Sequence, residues 1–62
     1  MSKLYIHECL HMSQFFSRIV EEELVDHPWM KETPECQKLA EEASEKLGEL
    51  YQLIGKHVPD DD

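Results

Sequence analysis

The sequence has few cysteines, few glycines and few basic residues, and each shortage excludes a class of protein. Two cysteines in 62 residues are too few for a disulfide scaffold. The two glycines stand apart, so there is no glycine-rich loop to bind a phosphate. Six Lys and Arg against 14 Asp and Glu give a net charge of −8. This balance excludes the basic face that direct binding to nucleic acid or to an anionic membrane requires.

Long apolar runs are also missing. No run approaches the ~18 residues of a membrane span, and the N-terminal segment lacks the pattern of a signal peptide. We therefore expect a soluble, cytoplasmic protein with reduced thiols. The hydrophobic fraction of 40% is enough to fold, but a chain this short has a thin core unless it gains a disulfide, a metal or a second copy.

Apolar residues recur at helical spacing in two segments that flank one break. The seam of the first segment consists of Tyr5, Cys9, Met12, Phe16 and Ile19. The seam of the second consists of Cys36, Ala40, Ala43, Leu47, Leu50 and Ile54. Further apolar residues such as Leu10 and Val20 widen the first stripe, so the first helix needs more than one neighbour. Small residues beside the second seam, Ser44 and Gly48, allow close approach of a neighbouring helix.

These patterns predict an all-α fold, with one antiparallel two-helix hairpin domain over residues 1–62. The expected parts are helix 1 at about 2–25, a bend at 26–33, helix 2 at about 34–54 and an acidic tail at 55–62. Because an isolated hairpin leaves much of helix 1's apolar stripe in water, we expect dimerisation into a four-helix bundle.

Prolines and cysteines refine this prediction. Pro28 disfavours helix in the bend, and Thr33 before Pro34 is typical of a capped helix start. Cys9 and Cys36 lie at opposite ends of such a hairpin, too far apart for a disulfide. We expect both thiols to be small core residues.

His7, Glu8 and His11 form an H-E-x-x-H sequence, which resembles the zincin metallopeptidase motif over five residues. On a helix the two histidines lie one turn apart, where they can bind zinc, and the glutamate can act as the base for a bound water. The same stripe carries Arg18, an unfavourable neighbour for a cation, and the pattern leaves no strand to build a cleft. We therefore predict that the protein is not an enzyme and has no cofactor, and that His7 and His11 lie on a solvated face of helix 1. A metal site at these two histidines is the alternative.

Helix 2 is predicted to carry an acidic face opposite its seam. Glu41, Glu45 and Glu49 follow one another at four-residue intervals, with Glu42 beside them. The end of helix 1 adds a second acidic cluster, which consists of Glu21, Glu22, Glu23 and Asp26. Like charges one turn apart repel by ~0.2–0.5 kcal/mol per pair. The face is either a solubilising surface or a docking face for a basic partner.

The charge density allows only partial imitation of DNA. Between Glu35 and Glu49, five Glu and two Lys leave a charge of −3. This segment spans about 22 Å, over which duplex DNA carries roughly 13 charges. We predict a small acidic protein-binding module, an inhibitor that covers a basic surface, such as a nucleic-acid-binding one, of a larger protein. Size, acidity and lack of catalytic groups resemble the general type of phage anti-defence inhibitors, anti-CRISPR proteins included.

Large apolar residues support a second hypothesis. Trp29 and Met30 lie in the bend, where no seam continues, and tryptophan is enriched among interface hot spots. With Phe15 and Phe16 they could bind a partner through apolar contacts. The alternative function is therefore a structural or regulatory homodimer.

Overall fold

The computed structural model describes residues 3–58 and contains only helical elements in that range. α1 spans Lys3–Ile19 and continues into a π-helix at Val20–Val25. The short α2 spans Pro28–Lys31, and α3 spans Pro34–Gly55. The prediction of an all-α fold is confirmed. Residues 1–2 and 59–62, where the sequence places the start of helix 1 and the end of the acidic tail, lie outside the described range.

α1 and α3 pack side by side in opposite directions. Leu10 lies against Gly55 at one end, and Gln37 Nε2 donates a hydrogen bond to Val25 O at 2.9 Å near the other. As residue numbers rise along the first helix, the residue numbers of their contacts on α3 fall, so the two helices are antiparallel. The resulting hairpin is elongated, with extents of 47 × 15 × 14 Å.

Small side chains form the centre of the interface between α1 and α3. Ser17 Oγ donates to Ser44 O at 3.1 Å, and Ser44 Oγ donates to Ser17 O at 3.2 Å. Ser13 is 5% exposed, and its hydroxyl donates to Leu10 O at 2.8 Å. Ala40 of α3 is 7% exposed. Because small residues bring the two backbones close together, the interface buries little apolar surface.

The predicted seam of helix 1 is wrong by one residue. Along α1 and the start of the π-helix, the side toward α3 consists of half-buried and buried residues. These residues are Ile6, Leu10, Ser13, Ser17 and Val20. Tyr5, Cys9, Met12 and Phe16 are exposed instead, and Ile19, the last residue of the predicted seam, is half-buried. One residue corresponds to about 100° of rotation, so the larger apolar side chains lie to one side of the interface. They do not fit where the serines let the helices approach.

The seam of helix 2 is partly correct. Cys36, Leu47 and Ile54 are half-buried, and Ala40 is buried. Ala43 and Leu50 are exposed, because Ser44 and Tyr51 occupy the corresponding positions toward α1.

The expectation that both cysteines are core residues is also wrong. Cys9 is exposed and Cys36 is half-buried, and both are free thiols. Cys9 belongs to the line of α1 residues that the serine contact turns away from α3.

The π-helix corrects the expectation of regular α-helix up to residue 25. Asp26 N–H donates to Glu21 O, five residues back, at 3.1 Å. In an α-helix five residues rotate a side chain to about 140° from its starting direction, which would turn Val25 away from the side where Val20 lies. The wider π turns return Val25 to the interface, where it is 8% exposed.

The bend contains a helical turn that the sequence did not predict. His27 Nδ1 accepts a hydrogen bond from Trp29 N–H at 3.1 Å, and Pro28 occupies the first position of α2. Thr33 precedes α3 but does not cap it with its side chain. Its hydroxyl donates to Trp29 O at 2.9 Å, which ties α2 to the start of α3.

The hairpin has almost no core of its own. Among residues 3–58, Val25 and Ala40 are the buried hydrophobic residues, and no large side chain is fully buried. The radius of gyration of 14.3 Å exceeds the value of about 10.6 Å expected for a compact chain of this length. Within the same range, no helix combines the length and the apolar character needed to cross a membrane.

Candidate protein-binding surfaces

One side of the hairpin carries a continuous set of apolar residues, which we call the apolar face. Its members are Tyr5, Cys9, Met12 and Phe16 of α1 and Ala43, Leu47, Leu50 and Ile54 of α3. Both helices contribute to the same side, because Tyr5, Cys9 and Ile54 line one depression between α1 and α3. The side chains of Tyr5, Phe16 and Leu50 remain between 45% and 61% exposed. Contiguous exposed apolar residues of this kind are typical of interaction surfaces.

The amount of exposed surface supports this reading. The chain exposes 4958 Å², whereas a compact monomer of 7.3 kDa exposes about 4,200 Å². The excess is about 800 Å², which equals one partner's share of a standard protein–protein interface.

The opposite side carries a groove lined by glutamates, which we call the acidic groove. Its acidic residues are Glu21 of the π-helix and Glu41, Glu42 and Glu45 of α3. Lys38, Val25 and Ser44 complete the lining. All four carboxylates are exposed, and within the described part of the chain none forms an ion pair. The lining therefore carries a charge of −3, with unneutralised carboxylates directed at solvent.

The other residues of the predicted acidic face lie elsewhere. Glu49 forms an exposed ion pair with Lys46, with an N–O distance of 3.5 Å. Glu22, Glu23 and Asp26 are exposed at the bend end of the hairpin and do not line the groove. The structure thus joins four of the eight predicted acidic residues into one surface.

The apolar face and the acidic groove point in opposite directions. On α3, Leu50 and Glu41 are nine residues apart, about two and a half helical turns, so their side chains leave the helix on opposite sides. A partner can therefore cover the apolar face and leave the acidic groove accessible.

Phe15 and Phe16 lie in an edge-to-face contact, with ring centroids 5.6 Å apart and planes at 66°. Phe16 belongs to the apolar face, whereas Phe15 lies further round α1, where Arg18 Cζ is 5.9 Å from the centre of its ring. This contact holds the guanidinium over the aromatic surface. Phe15 is 42% exposed and borders the apolar face.

Trp29 and Met30 occupy the bend, away from both surfaces. Trp29 is 56% exposed, and Met30 is half-buried. Their backbone is held by the hydrogen bonds of α2, so the indole ring is presented from an ordered turn.

His7 and His11 share a depression on the outer side of α1 with Glu8. Leu4 and Met12 form the rest of its lining. Within residues 3–58 no group of three or more His, Cys, Asp or Glu side chains is arranged to hold a metal ion. Two histidines without a third protein ligand do not complete the set that stable zinc sites use.

We expect zinc to bind this chain weakly, and His7 and His11 to make little difference. Calorimetric titration with zinc should give the same small heats for the chain and for a His7→Ala/His11→Ala variant. A saturable heat with one zinc per chain that disappears in the variant would contradict this prediction and favour the metal-site alternative.

The sequence predicts that an isolated hairpin leaves much of helix 1's apolar stripe exposed. It does not predict that the seam residues Tyr5, Cys9, Met12 and Phe16 are the exposed ones. The available signal was the second line of small residues, Ser13 and Ser17 on α1 and Ser44 on α3, which fits a close helix contact better than large side chains do.

Comparisons with family models, with characterised proteins and with solved structures gave no match.

Proposed function

We propose that this chain is a non-enzymatic protein-binding module that works as a dimer of hairpins and binds a basic surface of a larger protein through its acidic groove. The observation that carries the proposal is the placement of the apolar face and the acidic groove on opposite sides of one hairpin. Self-association through the first leaves the second free.

Dimerisation is supported by the balance of buried and exposed surface. A second copy with its apolar face against the first forms a four-helix bundle, in which Phe16 and Leu50 enter a shared core. Burial of apolar surface stabilises association by roughly 25 cal/mol per Å². The small residues between α1 and α3 bury little apolar surface, so most of this stabilisation must come from the contact between two hairpins.

Binding of a basic partner is supported by the charges in the groove. Four exposed carboxylates and one lysine line it, and within residues 3–58 none of these carboxylates forms an ion pair. A basic surface that enters the groove gains several charge pairs and relieves the repulsion between carboxylates of neighbouring turns.

The mode of action that we propose is occlusion. A module with no catalytic constellation can act on a larger protein by covering a surface that its normal ligand needs. If that ligand is nucleic acid, the groove imitates part of its charge, as phage anti-defence inhibitors such as anti-CRISPR proteins do. The lining charge of −3 makes this a partial imitation.

Charge reversal in the groove tests the proposal. The probe is a fluorescently labelled nona-arginine peptide, and the variant is Glu21→Lys/Glu41→Lys/Glu45→Lys. We expect this variant to bind the peptide about tenfold more weakly than a control variant with the same net charge. The reason is that only the groove variant places lysines where the peptide binds.

The control variant is Glu8→Lys/Glu32→Lys/Glu49→Lys, whose three positions are exposed and outside the groove. Both variants are compared at low and at physiological salt, since charge pairing is screened by salt. Equal loss of affinity in the two variants would mean that the peptide responds to net charge alone, and the proposed docking role of the groove would be abandoned.

A further inference from the structure

The two ends of the hairpin carry very different charge. The half next to the bend, residues 19–42, contains eight acidic and two basic residues, a net charge of −6. The half with the free ends, residues 3–18 and 43–58, contains three acidic and four basic residues, a net charge of +1. The remaining acidic residues, Asp60, Asp61 and Asp62, lie outside the described range. Counting them with the free-end half gives −2, which is still four charges less acidic than the bend half.

The apolar face runs along the helices and is accessible to a second hairpin in either direction. In a parallel pair the two bend halves lie side by side and bring −6 against −6. The apolar face lies within residues 5–16 and 43–54, so an antiparallel pair overlaps the two free-end halves and places the bend halves at opposite ends of the bundle. Outside the acidic groove, the bend half has five acidic residues and Lys31, a net charge of −4. Packed helices are about 8–10 Å apart, close to the Debye length of ~8 Å at physiological ionic strength, so these charges repel when the bend halves lie side by side.

From this charge distribution we infer that the occupant of the apolar face is a second copy in antiparallel orientation. This inference rests on the dimer of the proposed function. The free-end halves overlap, and the two bends lie at opposite ends of the bundle. The twofold axis crosses the long axis of the bundle, and it places the middle of one apolar face against the middle of the other. Aligned like charges thus select the orientation, and the apolar residues supply the affinity.

The distance between the two bends distinguishes the orientations. Glu32 lies in the bend, is exposed and is not part of the apolar face. In an antiparallel dimer the two copies of this residue lie at opposite ends of the bundle, separated by nearly the 47 Å length of the hairpin. In a parallel dimer they lie within about 20 Å of each other, since neighbouring helices pack at 8–10 Å.

The experiment is a dipolar electron-resonance measurement on the full chain with a nitroxide at Glu32→Cys. The background variant is Cys9→Ala/Cys36→Ala, so that only the bend is labelled. Its mass is measured in parallel by size-exclusion chromatography with light scattering. We expect a dimer mass, about twice the 7.3 kDa of one chain, together with a spin–spin distance above 35 Å, a threshold set by roughly three-quarters of the hairpin length.

A dimer mass with a distance below about 20 Å would overturn the antiparallel orientation and leave the dimer of the proposed function intact. A mass of one chain at every concentration, in the unlabelled native chain as well, would overturn the proposed dimer itself.

Discussion

A Leu50→Lys chain is expected to be monomeric at concentrations where the native chain is a dimer. Leu50 is 45% exposed in the hairpin and lies in the middle of the apolar face. Full burial of a leucine contributes ~1.5–3 kcal/mol, so covering the exposed 45% contributes ~0.7–1.4 kcal/mol, and a twofold dimer contains the change twice. Since each 1.4 kcal/mol changes an equilibrium constant tenfold, we expect the dissociation constant to rise at least about tenfold. Light scattering over a hundredfold range of concentration measures it.

The matched control is Gln52→Lys, which makes the same side chain two residues further along α3. Gln52 is exposed and lines depressions on the other side of the hairpin. We expect this control to keep the dimer mass. Should Leu50→Lys also keep it, the apolar face would not be the dimer interface. The alternative of binding through Phe15 and Trp29 would then be examined by changing those residues.

Replacing Ala40 with leucine is expected to lower the thermal midpoint strongly. Ala40 is 7% exposed and lies one helical turn from Ser44, which forms reciprocal hydrogen bonds with Ser17 of α1. Forcing extra carbons into such a contact costs ~1–3 kcal/mol. For a domain of this size that corresponds to a fall of roughly 5–20 °C. Far-UV circular dichroism at one fixed chain concentration measures the midpoint, because the stability of a dimer depends on concentration.

Ala43→Leu provides a control with the same chemical change three residues later. Ala43 is exposed and belongs to the apolar face, so its added side chain enters the dimer interface instead of the contact between α1 and α3. We expect its midpoint to equal or exceed that of the native chain. If the two variants melt within about 2 °C of each other, a value well below the shift expected for 1 kcal/mol, the small-residue contact is not what holds the hairpin together.

The positions of the two long helices were predictable from the sequence because their signals are local. Periodic apolar residues define α1 and α3, and Pro34 defines the start of α3. The short α2 was not predicted, because Pro28 was expected to disfavour helix, whereas it occupies the first position of α2. The pairing of faces was not predictable from periodicity, because two lines of residues about 100° apart on α1 both have helical spacing. The size of the side chains decides between them: Ser13 and Ser17 allow a close contact that Met12 and Phe16 prevent.

The acidic groove shows the same limit. Glu49 follows Glu41 by eight residues, so it lies about 12 Å further along α3 toward the free ends and does not line the groove. Glu21 enters from the other helix, through tertiary packing that no local pattern contains. The π-helix beside it has no signal in its composition either, and its only visible effect is the inward position of Val25.

The opposed directions of the apolar face and the acidic groove determine the valency of the proposed dimer. With the two apolar faces joined, the two grooves point away from each other on opposite surfaces of the bundle. One dimer can then bind two partner molecules. It can bind two sites of one oligomeric partner only if that partner surrounds the bundle. Binding to a multivalent partner gains from a high effective concentration, but only where the geometry allows both grooves to engage. Two separate basic sites on one flat surface cannot both be covered by the same dimer.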